Sequence, residues 1–361
     1  MSPSDTTLRW GVLGATAYIS GHLLPAIAAT PGCRVAAVAS RPERHARAGE
    51  VALRYGATAH RDYAALVADP GIDAVYVALP NTDHVEWTVR ALEAGKHVLV
   101  EKPMAMSEAG VRRIERAAGA ASRIAMEAFM YRFHPQQRLA ADLLDSGAVG
   151  ELRLVRAAFA FEIADGSGNI RLDAALGGGA TWDVGCYAID VPQLFFGRAP
   201  ERVSARFGRR TGLAVETSAT GWMDFGDGRA AVIDYSIDYG PRAWYELQGT
   251  RGTITVRNAW AMAGEDGVVT VRTADGARTE TVPAGNHYQH QVAAFARAVV
   301  EGRPAPVPTA ASRRAARVGE ALARSAAAAG RAVATADDPA EAPAAGPAGP
   351  GAGTPVGVVT A

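Results

Sequence analysis

Only two of the chain's 37 basic residues are lysines, Lys96 and Lys102; the others are arginines. This is the pattern of a composition that replaces Lys by Arg wherever a plain positive charge suffices. A lysine that survives it is a candidate for work arginine cannot do, because a guanidinium stays protonated whereas an ammonium shifts its pKa and hands over a proton. Chance survival explains either residue equally well. Lys96 lies in Ala94-Gly95-Lys96-His97, a polar turn ahead of an apolar run, and reads as a solvated side chain. Lys102 ends the run His97-Val98-Leu99-Val100-Glu101 and precedes Pro103. The proline biases it toward extended backbone and closes a strand there. A second cluster is Gly177-Gly178-Gly179-Ala180-Thr181-Trp182-Asp183-Val184-Gly185-Cys186-Tyr187. Three glycines let backbone pass close to another group, and a helix starts after them. Asp183 and Tyr187, four apart, share a helix face and can point a carboxylate and a phenol at one bound molecule.

At the amino end the chemistry is of another kind. Residues 8–14 read as a buried strand ending in Gly14, followed by Ala15-Thr16-Ala17-Tyr18-Ile19-Ser20 and a helix. Thr16 and Ile19 stand where a three-glycine phosphate loop has its second and third glycines. The order strand, tight turn, helix N-terminus still presents free N–H groups to a pyrophosphate. An ordinary strand–helix turn is the plain alternative. Gly14, Thr16, Ala17, Tyr18 and Ile19 are therefore candidate dinucleotide contacts. The second strand ends in Ala39-Ser40-Arg41, with no acid before Glu43. An NAD site places Asp or Glu there, whereas Ser40 and Arg41 suit a 2′-phosphate. The expected cofactor is NADP, with NAD as the alternative. Phe129, Tyr131, Phe161 and Trp182 are candidate walls of a sugar pocket or plain core. Arg132 and Arg171 either reach substrate or form surface ion pairs. His287 and His290 are three apart, but no Cys or acid cluster completes a site, so no metal is expected.

The elements that must position these residues follow from apolar patterning. Short continuous apolar runs (8–14, 34–39, 73–79, 97–100) alternate with helical stretches (20–30, 42–55, 83–94, 107–121), the last with Ser107 as N-cap. That alternation argues for a parallel sheet covered on both faces, with ligands outside the carboxyl ends of its strands. After about residue 150, seven β-rich runs between Gly- and Asp-containing turns indicate a mostly antiparallel sheet. A helix at 181–195 is embedded among them, and helices at 289–300 and 312–329 follow. The composition, 48% apolar and 20% charged with formal net charge +0, is globular and carries no basic footprint for nucleic acid. Cys33 and Cys186 allow at most one bridge, and free thiols in a reducing compartment are the simpler reading. No signal peptide is visible and no apolar run reaches membrane length, so a cytoplasmic location is expected. Residues 339–361 hold 5 Pro, 5 Gly and 7 Ala and read as a disordered tail.

Taken together these motifs resemble the glucose-fructose oxidoreductase / inositol dehydrogenase / rhizopine catabolism (Gfo/Idh/MocA) family. The resemblance covers roughly residues 8–330. It rests on Gly11-Val12-Leu13-Gly14, Ala78 through His84, Ala94 through Pro103, Glu127 through Pro135 and Gly177 through Tyr187. It implies an α/β Rossmann domain with a parallel sheet, expected over 1–130. An α+β domain with a large, mostly antiparallel open-faced sheet is expected over 131–333, with a tail over 334–361. It also implies hydride transfer between NAD(P) and a sugar-like alcohol, and a homodimer or homotetramer formed through the open sheet. By position Lys102 would be the catalytic lysine and Asp183 its polar partner; Leu79, Pro80, Asn81, His84, Glu101 and Lys102 would contact the cofactor. Two departures stand out. Tyr187 replaces the histidine of inositol-dehydrogenase-like members, as in the dihydrodiol dehydrogenase, D-xylose dehydrogenase and glucose-fructose oxidoreductase branch, and residues 14–20 are not the usual family loop. A lysine ammonium near Tyr187 would lower the phenol's pKa and make it the acid/base; Lys102 as the direct proton shuttle is the competing assignment. Alternatives to a sugar dehydrogenase are a trans-dihydrodiol or dicarbonyl reductase, a ketosugar reductase of secondary metabolism, a bound-cofactor lyase and a non-catalytic NADP-binding regulator.

Overall fold

The computed structural model describes residues 7–164, 166–260 and 264–336. They divide into two compact units, residues 7–133 with 286–313, and residues 134–285 with those from 314 on. In the first unit six strands form one parallel sheet: β1 (Leu8–Leu13), β2 (Cys33–Ala39), β3 (Thr58–His60), β4 (Ala74–Val77), β5 (His97–Val100) and β6 (Ala125–Glu127). All four residues of β4 are buried, as is every residue of β1 but Arg9. Such strands cannot alternate between core and water, so both faces need cover. It comes from α1 (Leu24–Ala29), α2 (His45–Arg54), α3 (Tyr63–Ala68), α4 (His84–Glu93) and α5 (Glu108–Ala121). Ser107 caps α5 as expected, its hydroxyl accepting from the Gly110 N–H at 3.2 Å. The strand order β3-β2-β1-β4-β5-β6 reverses between β1 and β4. Ligands of open α/β sheets bind at such a reversal.

The second unit is built on a nine-stranded sheet. Its strands are β7 (Leu152–Glu162), β8 (Arg202–Gly208), β9 (Ser218–Gly226), β10 (Arg229–Ser236), β11 (Asp238–Gly249), β12 (Gly252–Arg257), β13 (Gly267–Thr273), β14 (Gly276–Val282) and β15 (Val333–Ala334). They run in the order β14-β13-β12-β11-β7-β10-β9-β8-β15, antiparallel except for the pair β7–β10. That parallel pair needs a long connection, which includes α7 (Cys186–Phe196). Ala219, Gly221, Met223 and Phe225 of β9 face inward, and Thr220 and Trp222 face out. On the inward face Phe196 of α7 meets Phe225, ring centres 4.5 Å apart, and Phe195 meets Tyr245 at 5.5 Å. α6 (Pro135–Asp145), which the sequence reading leaves unassigned, starts with Pro135 at its first turn and His134 as its cap. β14 is also unassigned there, because Gly276-Ala277-Arg278-Thr279-Glu280-Thr281-Val282 lies at a sheet edge and has no apolar alternation.

Three expectations are corrected. First, α8 (His287–Glu301) belongs to the first unit, not to a continuous 131–333 domain. Its fully buried Phe295 packs on Trp10 of β1, ring centres 5.2 Å apart, and Gln289 Nε2 donates to the Ala29 carbonyl at 2.9 Å. Burying such a ring is worth about 1.5–3 kcal/mol, and sequence order does not record where that energy is collected. The unit boundary itself falls inside α9 (Thr309–Ala327). Second, residue 334 does not begin a tail. Ala334 pairs with Arg202 of β8, and Thr335 is buried with its hydroxyl donating to the Pro200 carbonyl. The rest of the expected tail, 337–361, lies outside the described residues.

Third, Lys96 is not solvated. It is 7% exposed, and its Nζ donates to the carbonyls of Asp69 at 2.7 Å and Ile72 at 2.9 Å. Burial pushes its pKa below the usual lysine value. A compact ammonium with three rotatable donors closes this turn. Lys96→Met strips both carbonyls of their partner, and an unsatisfied buried acceptor costs about 1–3 kcal/mol. Urea unfolding of Lys96→Met is expected to show a loss of roughly 2 kcal/mol or more; an unchanged midpoint refutes this role.

Candidate active site

The loop after β1 is fixed by one close approach. Gly14 has φ +101°, and a Cβ on it would lie 2.2 Å from the Ala78 carbonyl oxygen that follows β4. Only glycine fits there. Two ladder-like bonds flank it, Gly14 N–H to Ala39 O and Ala78 N–H to Leu13 O, both 2.9 Å. Thr16, Ala17 and Tyr18 are exposed beyond it, while Ile19, at the third glycine position, is a core residue at 3% exposure. The Thr16 hydroxyl accepts from the Ile19 N–H at 3.3 Å, so it caps the entering turn. That turn, Ile19–Leu23, is widened to i→i+5 bonding before α1 begins. The Tyr18 hydroxyl meets that of Tyr288 on α8, and His22 stacks on the same ring. Arg47 of α2, which the sequence reading does not single out, donates its Nε to the Ala15 carbonyl at 2.9 Å. Ser40 is buried and its hydroxyl donates to the Arg44 carbonyl at 2.8 Å, whereas Arg41 is half-exposed beside Glu43. An exposed turn at the sheet reversal, with N–H groups at a helix start, has the shape to hold a dinucleotide.

Leu79, Pro80, Asn81, His84, Glu101 and Lys102 all lie at or just past the carboxyl ends of β4 and β5. The Glu101 carboxylate accepts from the Tyr76 hydroxyl at 2.6 Å and from the Lys102 N–H at 3.2 Å. His84 is fully buried, and both of its ring nitrogens face carbonyls: Nδ1 lies 2.8 Å from Pro103 O and Nε2 2.9 Å from Leu79 O. Burial pushes its imidazole below the usual histidine pKa, against the pull of those two carbonyls. Lys102 is half-buried and joined to Pro103 by a cis peptide. Phe129 and Arg132 are 1% and 3% exposed, the guanidinium 5.9 Å from the Phe129 ring centre.

In the second unit the glycine cluster does what three glycines permit. A Cβ on Gly178 would lie 2.5 Å from the Arg171 carbonyl oxygen, and one on Gly179 (φ +113°) 2.6 Å from the Glu216 carboxylate. The Gly179 N–H donates to Arg171 O at 2.8 Å. Glu216, invisible to local sequence patterning, accepts from the Thr181 N–H at 2.9 Å and puts its charge at a helix start. Arg171, seated by Asn169, donates its Nε to Asp183 Oδ2 at 2.6 Å, and its guanidinium lies 6.0 Å from the Phe161 ring centre. Asp183 sits in a second widened turn, Thr181–Gly185, ahead of α7. Tyr187 is 2% exposed, with Phe159 and Trp260 ring centres 5.2 and 5.7 Å from its own. Trp182, a candidate pocket wall, lies against Gly319 of α9, where a Cβ would be 2.5 Å from the indole. The structure thus brings Asp183, Arg171 and Phe161 together in this unit. Among the described residues no group of three or more His, Cys, Asp or Glu could hold a metal, and no helix is long and apolar enough to cross a membrane.

Comparison with known proteins agrees with this fold. Residues 8–129 match the oxidoreductase family with an NAD-binding Rossmann fold, and residues 137–255 match the GFO/IDH/MocA C-terminal domain. D-xylose 1-dehydrogenase (NADP(+)) 2 of Haloferax volcanii is 37% identical over 297 residues, covering 82% of this chain and 90% of the relative. The dTDP-3,4-didehydro-2,6-dideoxy-alpha-D-glucose 3-reductase of Actinomadura kijaniata is 34% identical over 296 residues, 82% of this chain and 88% of that one. The crystal structure of KijD10, a 3-ketoreductase from Actinomadura kijaniata in complex with NADP and TDP-benzene, superposes with a TM-score of 0.84 at 33% identity, covering 89% of this chain and 98% of that one. Solved variants of KijD10 replace a lysine by glutamate or alanine and a tyrosine by phenylalanine. Gly14→Ala drives a methyl into the Ala78 carbonyl and adds left-handed strain of about 1–2 kcal/mol. Titration with NADPH, followed by its fluorescence, is expected to show affinity reduced at least about tenfold; wild-type affinity would show that the loop is not the phosphate site.

Proposed function

This chain belongs to the GFO/IDH/MocA family of oxidoreductases, and we propose that it transfers a hydride between NADP and a sugar or sugar-like alcohol or ketone, with Tyr187 as acid/base and Lys102 as its electrostatic support. The observation that carries this reading is the position of Lys102. One of only two lysines, it stands at the carboxyl end of β5 in the sheet whose strand order reverses at the Gly14 loop. The other lysine has a structural task, so Lys102 is the lysine left for chemistry.

NADP, when bound, supplies the hydride acceptor or donor at nicotinamide C4. The chain's own residues do the rest. The turn at Thr16–Tyr18 offers N–H groups to the pyrophosphate, with Gly14 allowing the approach. With the Ser40 hydroxyl engaged by Arg44 O, Arg41 carries most of the discrimination for a 2′-phosphate. In the oxidative direction the substrate hydroxyl gives its proton to Tyr187. A free tyrosine, with a pKa of about 10, is a poor base at neutral pH. The Lys102 ammonium favours the tyrosinate and stabilises charge at the reacting oxygen. Asp183, held by Arg171, accepts from a second substrate hydroxyl. The residue types replaced in the KijD10 variants, a lysine and a tyrosine, are the two assigned here.

A second reading, reduction of a nucleotide-linked ketosugar, is favoured by the 34% identity to the dTDP-sugar 3-reductase. We also infer that the chain works in a reducing cytoplasm, since Cys33 and Cys186 are thiols, and that it self-associates through the open sheet face. On that face Trp222 and Val232, each 39% exposed, stand opposite one another on β9 and β10.

The test is absorbance of reduced nicotinamide with D-xylose, other aldoses, dihydrodiols and dTDP-ketosugars. Lys102→Met is expected to lower kcat by about 10²-fold or more. Tyr187→Phe separates the proton assignments: activity that survives it makes Lys102 the shuttle. Turnover with none of these compounds, despite tight NADPH binding, rejects the dehydrogenase reading. For the sheet face, Trp222→Asp is expected to convert an oligomer to monomer by analytical ultracentrifugation; a monomeric wild type refutes that surface.

A further inference from the structure

We propose that His84 is a positioning residue for Lys102, holding the backbone that carries the lysine rather than touching cofactor or substrate. The proposal takes the Lys102 role above as its premise. Three successive residues at the end of β5 each have a backbone group bonded by an acidic or imidazole side chain. The Lys102 N–H donates to Glu101 Oε2 at 3.2 Å, and the other oxygen of that carboxylate is fixed by Tyr76 of β4. The Pro103 carbonyl faces His84 Nδ1 of α4 at 2.8 Å. The Met104 N–H donates to Glu127 Oε1 of β6 at 2.8 Å. Tyr76 and His84 are fully buried and Glu127 is 3% exposed. Strand-end loops normally find partners in water. Here β4, α4 and β6 supply side chains for the purpose.

His84 is the member that also ties this segment to another. Its Nε2 faces the carbonyl of Leu79, 2.9 Å away, in the loop that follows β4. A neutral imidazole has a single N–H, so only the doubly protonated ring donates to both carbonyls. Glu101 favours that cation; burial and the Lys102 charge oppose it. The ring therefore sets the spacing between the Leu79–Asn81 loop and the peptide on which Lys102 stands. Displacing a reacting group by about 1 Å can cost about 10²-fold in rate, which gives such a strap its value.

The chain's composition makes the test direct. Reductive ¹³C-methylation labels side-chain amines, and only Lys96 and Lys102 carry them; Lys102→Met identifies the Lys102 resonance. In His84→Gln, whose one amide nitrogen cannot span both carbonyls as the two ring nitrogens do, the Lys102 resonance is expected to titrate with a midpoint moved by at least about half a pH unit, a change of roughly 0.7 kcal/mol. Tyr76→Phe, which releases Glu101, is expected to move the same midpoint by less, and serves if His84→Gln does not fold. A Lys102 midpoint unchanged in the variants, with only the melting temperature lowered, overturns the proposal and leaves His84 as a core histidine. The readout needs no substrate. A moved midpoint together with full turnover by Lys102→Met would sink the catalytic reading and leave the positioning role standing.

Discussion

A peptide group removed from water must find a partner, and in this chain the partners at the strand ends are side chains. The carboxyl edge of a parallel sheet leaves its last N–H and C=O groups without ladder mates. At β5 they are taken by Glu101, His84 and Glu127, themselves fixed by Tyr76 and by the Leu79 carbonyl. The same device recurs in the second unit, where Glu216 receives the Thr181 N–H and Asn169 the Arg171 N–H. Lys102, Arg171 and the start of the Asp183 turn therefore stand on backbone held by neighbouring side chains.

The glycines are the complement of this arrangement. Gly14, Gly178 and Gly179 mark where backbone or carboxylate comes closer than any Cβ allows. The Arg171–Asp183 pair is better understood as orientation than as stability. Arg171 is 40% exposed and Asp183 10%, so solvent screens much of the attraction. What a 2.6 Å bond from Nε secures is the direction in which the second carboxylate oxygen points.

Much of this was legible from residue patterns. Continuous apolar runs such as 74–77 and 97–100 announce a parallel sheet because no face can be left wet, and Gly14 announces its turn. What was not legible has physical reasons. Neither widened turn, Ile19–Leu23 or Thr181–Gly185, leaves a trace in a 3.6-residue period, since one extra residue per turn does not alter which residue types are apolar. α8 looks like any helix near the end of a domain; only Phe295 meeting Trp10, 285 positions away in sequence, assigns it. Lys96 was misread because a polar turn ordinarily faces water, and nothing local reports the two carbonyls waiting 24 and 27 residues upstream. The partners of His84 and Glu101 are visible only in three dimensions.

The burial of Lys96 has a consequence for how this protein meets reagents. With 35 of its 37 Lys and Arg side chains guanidinium groups, the molecule carries ample positive charge but only two primary side-chain amines. Lys96 is enclosed, so among the lysine side chains acylating labels, aldehydes and amine-coupled surfaces find one half-buried target, Lys102. Chemistries usually regarded as indiscriminate become, on this scaffold, nearly site-directed.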